Sequence, residues 1–454
     1  MSKSLTIIDM TKGSETRHIL CFALPLLVGN LLQQLYNVAD TVIVGKFLGD
    51  DALAAVGATG SITYLFYTLC IGLSVGTGII ISQYFGAGML KQMKSAVFNS
   101  AVVTAIFAVG VSIVSVFLAE PLLSFLNTPA ALLPSAAGYM RISCAGTIAV
   151  AAYNWINAVM RSLSDAKSPL FFLAAASVMN VILDLIFVIV FGWGINGAAV
   201  ATIIAQGCSA LFGIFYAFSK NKDIQLDKAD IKPEKQMMFR CIRTGLPIAG
   251  QNAMISVSMV ALQRVTNTFG ETVMAAYTAS MRIEQLVQQP FSSLNAAVST
   301  FTGQNIGAEK DERAIKGLRT ALRMSAIFSV IMVAVFMLFG RYITGFFVSG
   351  DEVIGIGTMG IQLTSLFYIF LGAIHVTRGF LNGAGDTGYA MINGAAEVVS
   401  RIGFSILLTS ISAIGYRGIW LTTCITWVLT AVISIIRYKS GVWKKKSFVN
   451  ADSK

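Results

Sequence analysis

The sequence predicts an all-α polytopic membrane protein, with twelve transmembrane helices in two six-helix lobes related by a parallel pseudo-twofold repeat. Three observations predict this fold class. Of the 454 residues, 55% are hydrophobic and only 12% are charged, against about 25% charged residues in a soluble domain. Long stretches, such as the one between Asp51 and Lys91, contain no charged residue, and the second half of the chain repeats the first. This composition excludes a soluble enzyme and a disordered or fibrous protein.

Polar interruptions divide the chain into twelve apolar segments. About 20 apolar residues are enough for one helix to cross the hydrocarbon layer, and the first segment is too long for a signal peptide. The segments lie at about 17–43, 53–82, 95–118, 134–158, 169–191, 197–218, 240–263, 273–304, 317–339, 353–379, 388–412 and 417–437.

The positions of the basic residues predict the orientation in the bilayer. The net charge is +11, and 26 of the 33 Lys and Arg lie at the two ends or in alternate loops on one side, including the clusters at 220–243 and 310–323 and also Arg378. An excess of Lys and Arg marks the cytoplasmic side. We therefore expect a multi-pass protein of the plasma (inner) membrane, surrounded by lipid, with both termini in the cytoplasm. The basic charge sets topology and requires no nucleic-acid partner.

Identical residues recur at a constant distance of 221 positions, which indicates an internal repeat. The halves meet in a polar, lysine-rich stretch, so the sequence predicts an N-terminal lobe at 1–218, a cytoplasmic linker at 219–239 and a C-terminal lobe at 240–454. Each half has an even number of helices, and such parallel repeats are typical of transporters that rock two lobes about a central site. The matched pairs are Gly49 and Gly270, Gln83 and Gln304, Asp165 and Asp386, Gly197 and Gly418, and Thr202 and Thr423.

Two prolines occupy equivalent places near the start of the first and seventh segments. Pro25 and Pro247 each remove one backbone hydrogen bond from a helix and bend it. Each proline is either a static kink or a bending point during transport, and we consider both as candidate hinges.

Acidic residues within the apolar segments are the strongest candidates for function, because a charge in the hydrocarbon layer is costly. Asp40 lies in the first segment and Asp184 in the fifth. Tyr36 and Asn180 each stand four residues before one of these acids, and therefore on the same helix face. Neighbouring segments add two further oxygen donors, Asn157 and Thr202.

These oxygen donors leave two coupling ions open. Carboxylate and amide oxygens suit a hard cation, so Na⁺ could bind at Asp40, Asn180 and Asp184. Alternatively the two acids could share a proton, since close carboxylates in a low dielectric resist double ionisation. A structural role, in which Asp184 only holds the helices together, is the third possibility. The scattered cysteines and the two histidines form no metal-binding pattern, and we expect no cofactor.

The second half lacks these acids, so the repeat predicts a single coupling-ion site in the first lobe. Arginines stand at two of the matched places, and only one position keeps its residue type. In the second half, Asp40 matches Ala261 or Leu262, Asn157 matches Arg378, Asn180 matches Arg401, Asp184 matches Ser405, and Thr202 matches Thr423.

The second half contains two buried acids of its own. Glu397 and Arg401 are spaced i,i+4 and can neutralise each other within one helix. Glu284 could instead meet a cationic substrate, and Met281 and Tyr67 are candidate cavity walls unless they pack in the core or against lipid. The segments contain no nucleophile, base and metal in catalytic spacing, so the sequence does not predict an enzyme.

Together these motifs resemble the multidrug and toxic compound extrusion (MATE) family. The resemblance covers essentially the whole chain. Its motifs are LPLLVGNLLQQLYNVADTVIVGKFLGDDALAAVG in the first segment, SQYFGAGMLKQ after the second, RSLSDAKSP and LNGAGDTGYA after the fourth and tenth, and GINGAAVAT and GYRGIWLTT at the sixth and twelfth.

The resemblance implies the MATE fold and an efflux antiporter that exchanges cationic, amphipathic drugs for inward H⁺ or Na⁺. It also implies membership of the DinF-like branch of this family, within the MOP flippase superfamily, and a first-lobe site like that of DinF-like and archaeal members. The branch of norfloxacin exporters uses acids in the seventh and tenth helices, which are missing here. Ser164 stands where the family has glycine. The implied site residues are Asp40, Asn157, Asn180, Asp184 and Thr202, with Tyr36 and Tyr139 nearby.

A lipid-linked oligosaccharide flippase of the same superfamily is the alternative function. Such flippases usually have additional helices and basic residues in the central cavity, so twelve segments and an acidic first-lobe site weigh against it. The major facilitator superfamily also has twelve helices, but its basic loop signature is missing from GAGMLKQMKSA after the second segment. We expect the exporter to be a monomer.

Overall fold

The computed structural model of the protein describes residues 9–126, 128–228 and 230–449. Within these ranges the chain forms fourteen α-helices and no strand. A bilayer offers backbone groups no hydrogen-bonding partner, and helices satisfy them internally. The helices of the first half are α1 (Glu15–Leu48), α2 (Asp50–Gly86), α3 (Leu90–Phe125), α4 (Leu133–Ala145), α5 (Thr147–Ser162), α6 (Lys167–Asp184) and α7 (Gly194–Lys220).

The second half follows the same order. Acidic residues open several of its helices, as at Asp311 and Glu312, where negative charge is favourable beside the helix N-terminus. The helices are α8 (Lys235–Thr266), α9 (Glu271–Gly307), α10 (Asp311–Phe347), α11 (Asp351–Ser365), α12 (Tyr368–Gly383), α13 (Gly388–Ser410) and α14 (Gly418–Lys439).

These helices account for the twelve predicted spans. In the described part of the chain, nine continuous helical segments are long and apolar enough to cross a membrane, and two bent helix pairs pass the same test together. The remaining span is α9, which has 37 residues and includes the charged residues Arg282 and Glu284. The predicted all-helical membrane fold is therefore confirmed.

Two predicted spans are broken rather than continuous. The fourth span consists of α4 and α5, bent by 42° around Gly146, and the tenth consists of α11 and α12, bent by 52°. The tenth span also ends at Gly383, beyond the predicted end. Arg378, counted above among the cytoplasmic charges, lies inside α12, and its side of the membrane stays a prediction.

The backbone preserves the repeat in detail. The bounds of α2 and α9, and those of α5 and α12, coincide at the offset of 221 residues. The same offset relates left-handed residues, including two that are not glycine. The pairs, with their φ angles, are Gly49 (86°) and Gly270 (84°), Gly88 (70°) and Glu309 (59°), Ser164 (66°) and Gly385 (89°), and Gly194 (60°) and Gly415 (54°).

The chain divides into two compact units whose boundaries fall inside helices. The first unit contains Leu24–Ala249, and the second contains Met10–Ala23 together with the chain from Gly250 onward. One boundary therefore crosses α1 next to Pro25, and the other crosses α8 next to Pro247. The predicted linker at 219–239 and the first part of α8 belong to the first unit.

In the first unit, α2 and the beginning of α8 approach so closely that only small residues fit between them. A methyl group added at Gly76 would overlap the backbone of Gly245, and one added at Gly72 would overlap Ala249. Without a Cβ atom these backbones can lie against each other, as at other close helix crossings in membranes.

The second unit binds the chain that precedes α1. Arg313 donates hydrogen bonds to the carbonyl oxygens of Met10, Lys12 and Gly13 and pairs with Glu15 at 3.1 Å. Met10 is only 1% exposed. Residues 1–8 and 450–454 lie outside the described ranges, so the predicted cytoplasmic position of both termini, with Lys3 and Lys454, stays a prediction.

Candidate functional site

Three helices of the first unit, α1, α6 and α7, bring Tyr36, Asn180 and Thr202 together. The hydroxyl of Thr202 on α7 lies 3.2 Å from the hydroxyl of Tyr36 on α1 and accepts a hydrogen bond from Nδ2 of Asn180 on α6 at 3.2 Å. Thr202 therefore connects the two helices that hold the predicted acids. The first-lobe site comprises Tyr36, Asp40, Asn157, Asn180, Asp184 and Thr202.

Asp40 and Asp184 lie close enough to interact electrostatically. Asp184 is fully buried, and Asn180 is 1% exposed. Two ionised carboxylates that are close together in a low dielectric repel each other, so a proton or cation between them would be favourable.

Several buried oxygens of the first-lobe site accept no hydrogen bond from the described residues. Buried acceptors normally have a donor, and leaving one without a partner costs about 1–3 kcal/mol. A cation coordinated by oxygen, or a proton placed on a carboxylate, would satisfy such atoms. They are Oδ1 of Asp40, Oδ1 of Asn157, Oδ1 of Asn180 and both carboxylate oxygens of Asp184.

The helix that contains Asp184 changes its geometry directly after this residue. A π-helical turn covers Leu185–Val190, whereas the equivalent part of α13 is regular α-helix. Such turns are rare and are frequent at functional sites. The sequence LIFVIV offers no local signal for this turn, so sequence reasoning missed it.

A small cavity of about 20 Å³ adjoins the first-lobe site. Its polar lining includes Tyr36 and Asn180 and adds Gln33 and Gln206. Oε1 of Gln206 is buried and accepts no hydrogen bond in the described part of the chain. Sequence reasoning did not select these two glutamines. Their spacing was a usable signal, since Gln33 stands three residues before Tyr36 and Gln206 four residues after Thr202.

The other candidates of the first half, Tyr139, Asn157 and Tyr67, have different neighbours. Tyr139 is close enough to Asp40 and Asp184 to interact with them electrostatically. Asn157 lies near Tyr153. The hydroxyl of Tyr67 donates a hydrogen bond to the carbonyl oxygen of Ser143 at 2.9 Å, so this side chain is held by the scaffold.

The second-half candidates belong to the second unit. Glu284 lies near Thr364 and interacts electrostatically with Arg401. Met281 packs against a hydrophobic cluster that includes Tyr277 and Trp420. The predicted pair of Glu397 and Arg401 forms, with 2.8 Å between Oε1 and Nη2.

The repeated aspartates after the fourth and tenth spans have different partners. Asp165 accepts hydrogen bonds from the backbone N–H groups of Lys167 and Ser168 and from the hydroxyl of Ser168, at 2.7–3.1 Å. It thereby holds the start of α6. Asp386 instead forms two hydrogen bonds with the guanidinium of Arg437, at 2.7 and 2.9 Å.

Comparison with known proteins assigns the family. The sequence model of the MatE family matches this chain twice, over residues 25–186 and 247–407. The chain belongs to the MatE family. The two matches cover corresponding parts of the two halves. The MatE family is a family of transporters and not of enzymes, so membership confirms the prediction that this chain is not an enzyme.

Relatives of the MatE chain are similar over nearly their whole length. The probable multidrug resistance protein YpnP of Bacillus subtilis (strain 168) is 30% identical, over 96% of this chain and 97% of its own. The probable multidrug resistance protein NorM of Thermotoga maritima is 24% identical, over 96% and 95%. A solved structure of MATE in the bent conformation superimposes with a TM-score of 0.89 at 25% identity, covering 96% of this chain and 98% of that one.

Proposed function

We propose that this MatE-family transporter is an antiporter that exports cationic, amphipathic drugs in exchange for H⁺ or Na⁺. The observation that supports it is the set of buried oxygens without donors around Asp40 and Asp184. Such a site is stable only when a proton or cation occupies it, which makes it suited to bind and release an ion in each cycle. The names of the relatives, among them probable multidrug resistance proteins, support drugs as the cargo.

The proposed cycle alternates ion and drug. On the outer side Asp40 and Asp184 take up H⁺ or Na⁺, α1 reorganises at its proline, and the drug leaves. On the inner side the ion dissociates and the drug binds again. Each positive charge that moves inward gains about 2.3 kcal/mol per 100 mV of membrane potential, enough to support a substantial drug gradient.

The other finer predictions belong to the same proposal. We infer a plasma-membrane protein with cytoplasmic termini that works as a monomer in the DinF-like branch. Its N-terminal lobe would contain the ion site, and Glu284, Met281 and Tyr67 would contact the drug. The names of the relatives do not favour the flippase alternative.

Replacement of either acid tests the proposal. Asp40→Asn or Asp184→Asn removes a charge that must accept the ion, so we expect ethidium efflux to fall at least about tenfold. The assay uses purified protein in proteoliposomes, with a proton or a sodium gradient imposed one at a time. The gradient that drives efflux by the unaltered protein identifies the coupling ion.

The matched control is Asp51→Asn, because Asp51 is an exposed acid at the start of α2. This variant should transport ethidium like the unaltered protein. Full efflux by Asp40→Asn under both gradients would reject Asp40 as a coupling residue.

A further inference from the structure

The second unit contains a polar cluster on the helices that match those of the first-lobe site. Helices α8, α12, α13 and α14 are the repeat equivalents of α1, α5, α6 and α7. Arg378 on α12 stands at the position of Asn157, and Arg401 on α13 stands at that of Asn180. The second-lobe arginine cluster comprises Arg378, Asn393, Glu397 and Arg401.

One carboxylate serves both arginines. Oε1 of Glu397 lies 2.8 Å from Nη2 of Arg401, and Oε2 lies 3.8 Å from Nη2 of Arg378. The cluster therefore has an excess of one positive charge. Glu284 on α9 interacts with Arg401 electrostatically but forms no ion pair within 4.0 Å among the described residues.

The amide of Asn393 is held in a fixed orientation. Its Oδ1 accepts hydrogen bonds from Nη2 of Arg378 at 2.7 Å and from Gln251 at 3.0 Å. Its Nδ2 donates to the hydroxyls of Tyr389 at 2.9 Å and Ser434 at 3.3 Å. The scaffold thus positions Arg378 from several helices, as expected for a built binding site.

Both guanidinium groups keep an unused donor. Nε of Arg378 and Nε of Arg401 are buried and donate to no acceptor in the described part of the chain. Arg401 is only 3% exposed. A buried charged donor without an acceptor is costly, just as the unpaired oxygens of the first-lobe site are. At equivalent places, the first half therefore has buried acceptors that could take a cation, and the second half has buried donors that could take an anion.

We propose that the second-lobe arginine cluster binds an oxyanion, the carboxylate of an amphipathic ligand. A guanidinium matches a carboxylate through its N–H donors, and the unused Nε groups of Arg378 and Arg401 supply such donors. The transporter would then accept compounds that combine a cationic body with an acidic group. This inference goes beyond cation export and does not depend on the coupling role of Asp40.

A pair of dyes that differ only in one acidic group tests the proposal. Rhodamine 110 carries a free carboxylate, and rhodamine 123 is its methyl ester. Fluorescence anisotropy with the purified full-length protein measures binding of each dye. For Arg378→Gln we expect affinity for rhodamine 110 to fall about tenfold, the effect of one lost charge-assisted hydrogen bond, while affinity for rhodamine 123 changes less than about twofold.

Two further variants separate recognition from misfolding. Arg341→Gln removes an exposed arginine that pairs with Asp351 away from the cluster, and it should leave both affinities unchanged. Glu397→Gln removes the internal competitor for the arginines, so affinity for rhodamine 110 should rise several-fold. A misfolded protein would not gain affinity.

Competition identifies the form in which the anion binds. Displacement of rhodamine 110 by millimolar benzoate or inorganic phosphate supports a site for free oxyanions, and retention of the dye supports one that takes the acid only within a larger ligand. The proposal is overturned if Arg378→Gln weakens both dyes equally, or if Glu397→Gln fails to strengthen binding of the acidic dye.

Discussion

Glu309 occupies a backbone conformation that favours glycine. Its φ is 59°, and its repeat equivalent Gly88 has a φ of 70°. For residues other than glycine the left-handed region costs about 1–2 kcal/mol. The side chain of Glu309 is exposed, so no buried contact offsets this cost. The turn between α9 and α10 retains its shape because the flanking helices impose it.

Replacing Glu309 by glycine should therefore stabilise the protein. We expect Glu309→Gly to raise the free energy of unfolding by about 0.5–1 kcal/mol, after the greater freedom of glycine in the unfolded chain is subtracted. Thermal unfolding in detergent should show a higher Tm than for the unaltered protein. Gly88→Ala is the matched opposite change and should lower the Tm; a lower Tm for Glu309→Gly would contradict the strain argument.

Three side chains hold the segment that precedes α1, and Arg313 makes most of the contacts. Arg313 at the start of α10 donates to three carbonyl oxygens of residues 10–13, and Lys310 donates to the carbonyl of Thr11 at 2.9 Å. Asn305 adds a hydrogen bond to the carbonyl of Met10 at 3.2 Å. A segment without helix of its own is ordered here by the end of a neighbouring helix.

Loss of the Arg313 side chain should free the segment that precedes α1. In Arg313→Ala we expect trypsin to cleave after Lys12 at least about tenfold faster, because loss of several hydrogen bonds lowers the free energy of local opening by more than 1.4 kcal/mol. Mass spectrometry of the N-terminal fragment measures the rate. Arg319→Ala, an exposed arginine of the same helix, is the control. Equal cleavage rates in both variants would show that Arg313 does not hold the segment.

The boundaries between the two compact units fall inside α1 and α8, close to a proline in each helix. The boundary in α1 falls between Ala23 and Leu24, and that in α8 between Ala249 and Gly250. Pro25 and Pro247 lie within two residues of these boundaries. A residue that weakens a helix at the boundary of two compact units is well placed to act as a hinge, which supports the hinge hypothesis.

Transport should depend on these two prolines more than on others. Pro25→Ala restores a backbone hydrogen bond and stiffens α1, so we expect the ethidium efflux rate to fall several-fold while the Tm stays the same or rises. Pro247→Ala should act in the same way. The control is Pro121→Ala, since Pro121 lies inside α3, which belongs wholly to one unit. If Pro121→Ala slowed efflux as much, the hinge assignment would be wrong.

Composition and spacing were enough to predict the membrane fold, the repeat and the pair of candidate acids. Because charged residues are few, the spans could be located from the sequence. Because a buried charge is costly, Asp40 and Asp184 could be selected as candidates. The constant offset of 221 residues predicted matching helices, and the bounds of α2 and α9 coincide as it requires.

The bends of the spans and the contacts between side chains could not be predicted from the sequence, because they depend on packing between helices. The fourth and tenth spans break at equivalent places although Gly146 matches Phe367, so packing sets the bend and no local residue signals it. The π-helical turn after Asp184, the link through Thr202 and the inclusion of Arg378 in a buried cluster depend on neighbouring helices. Hydropathy and spacing report what one helix prefers, whereas these features arise from contacts between helices far apart in sequence.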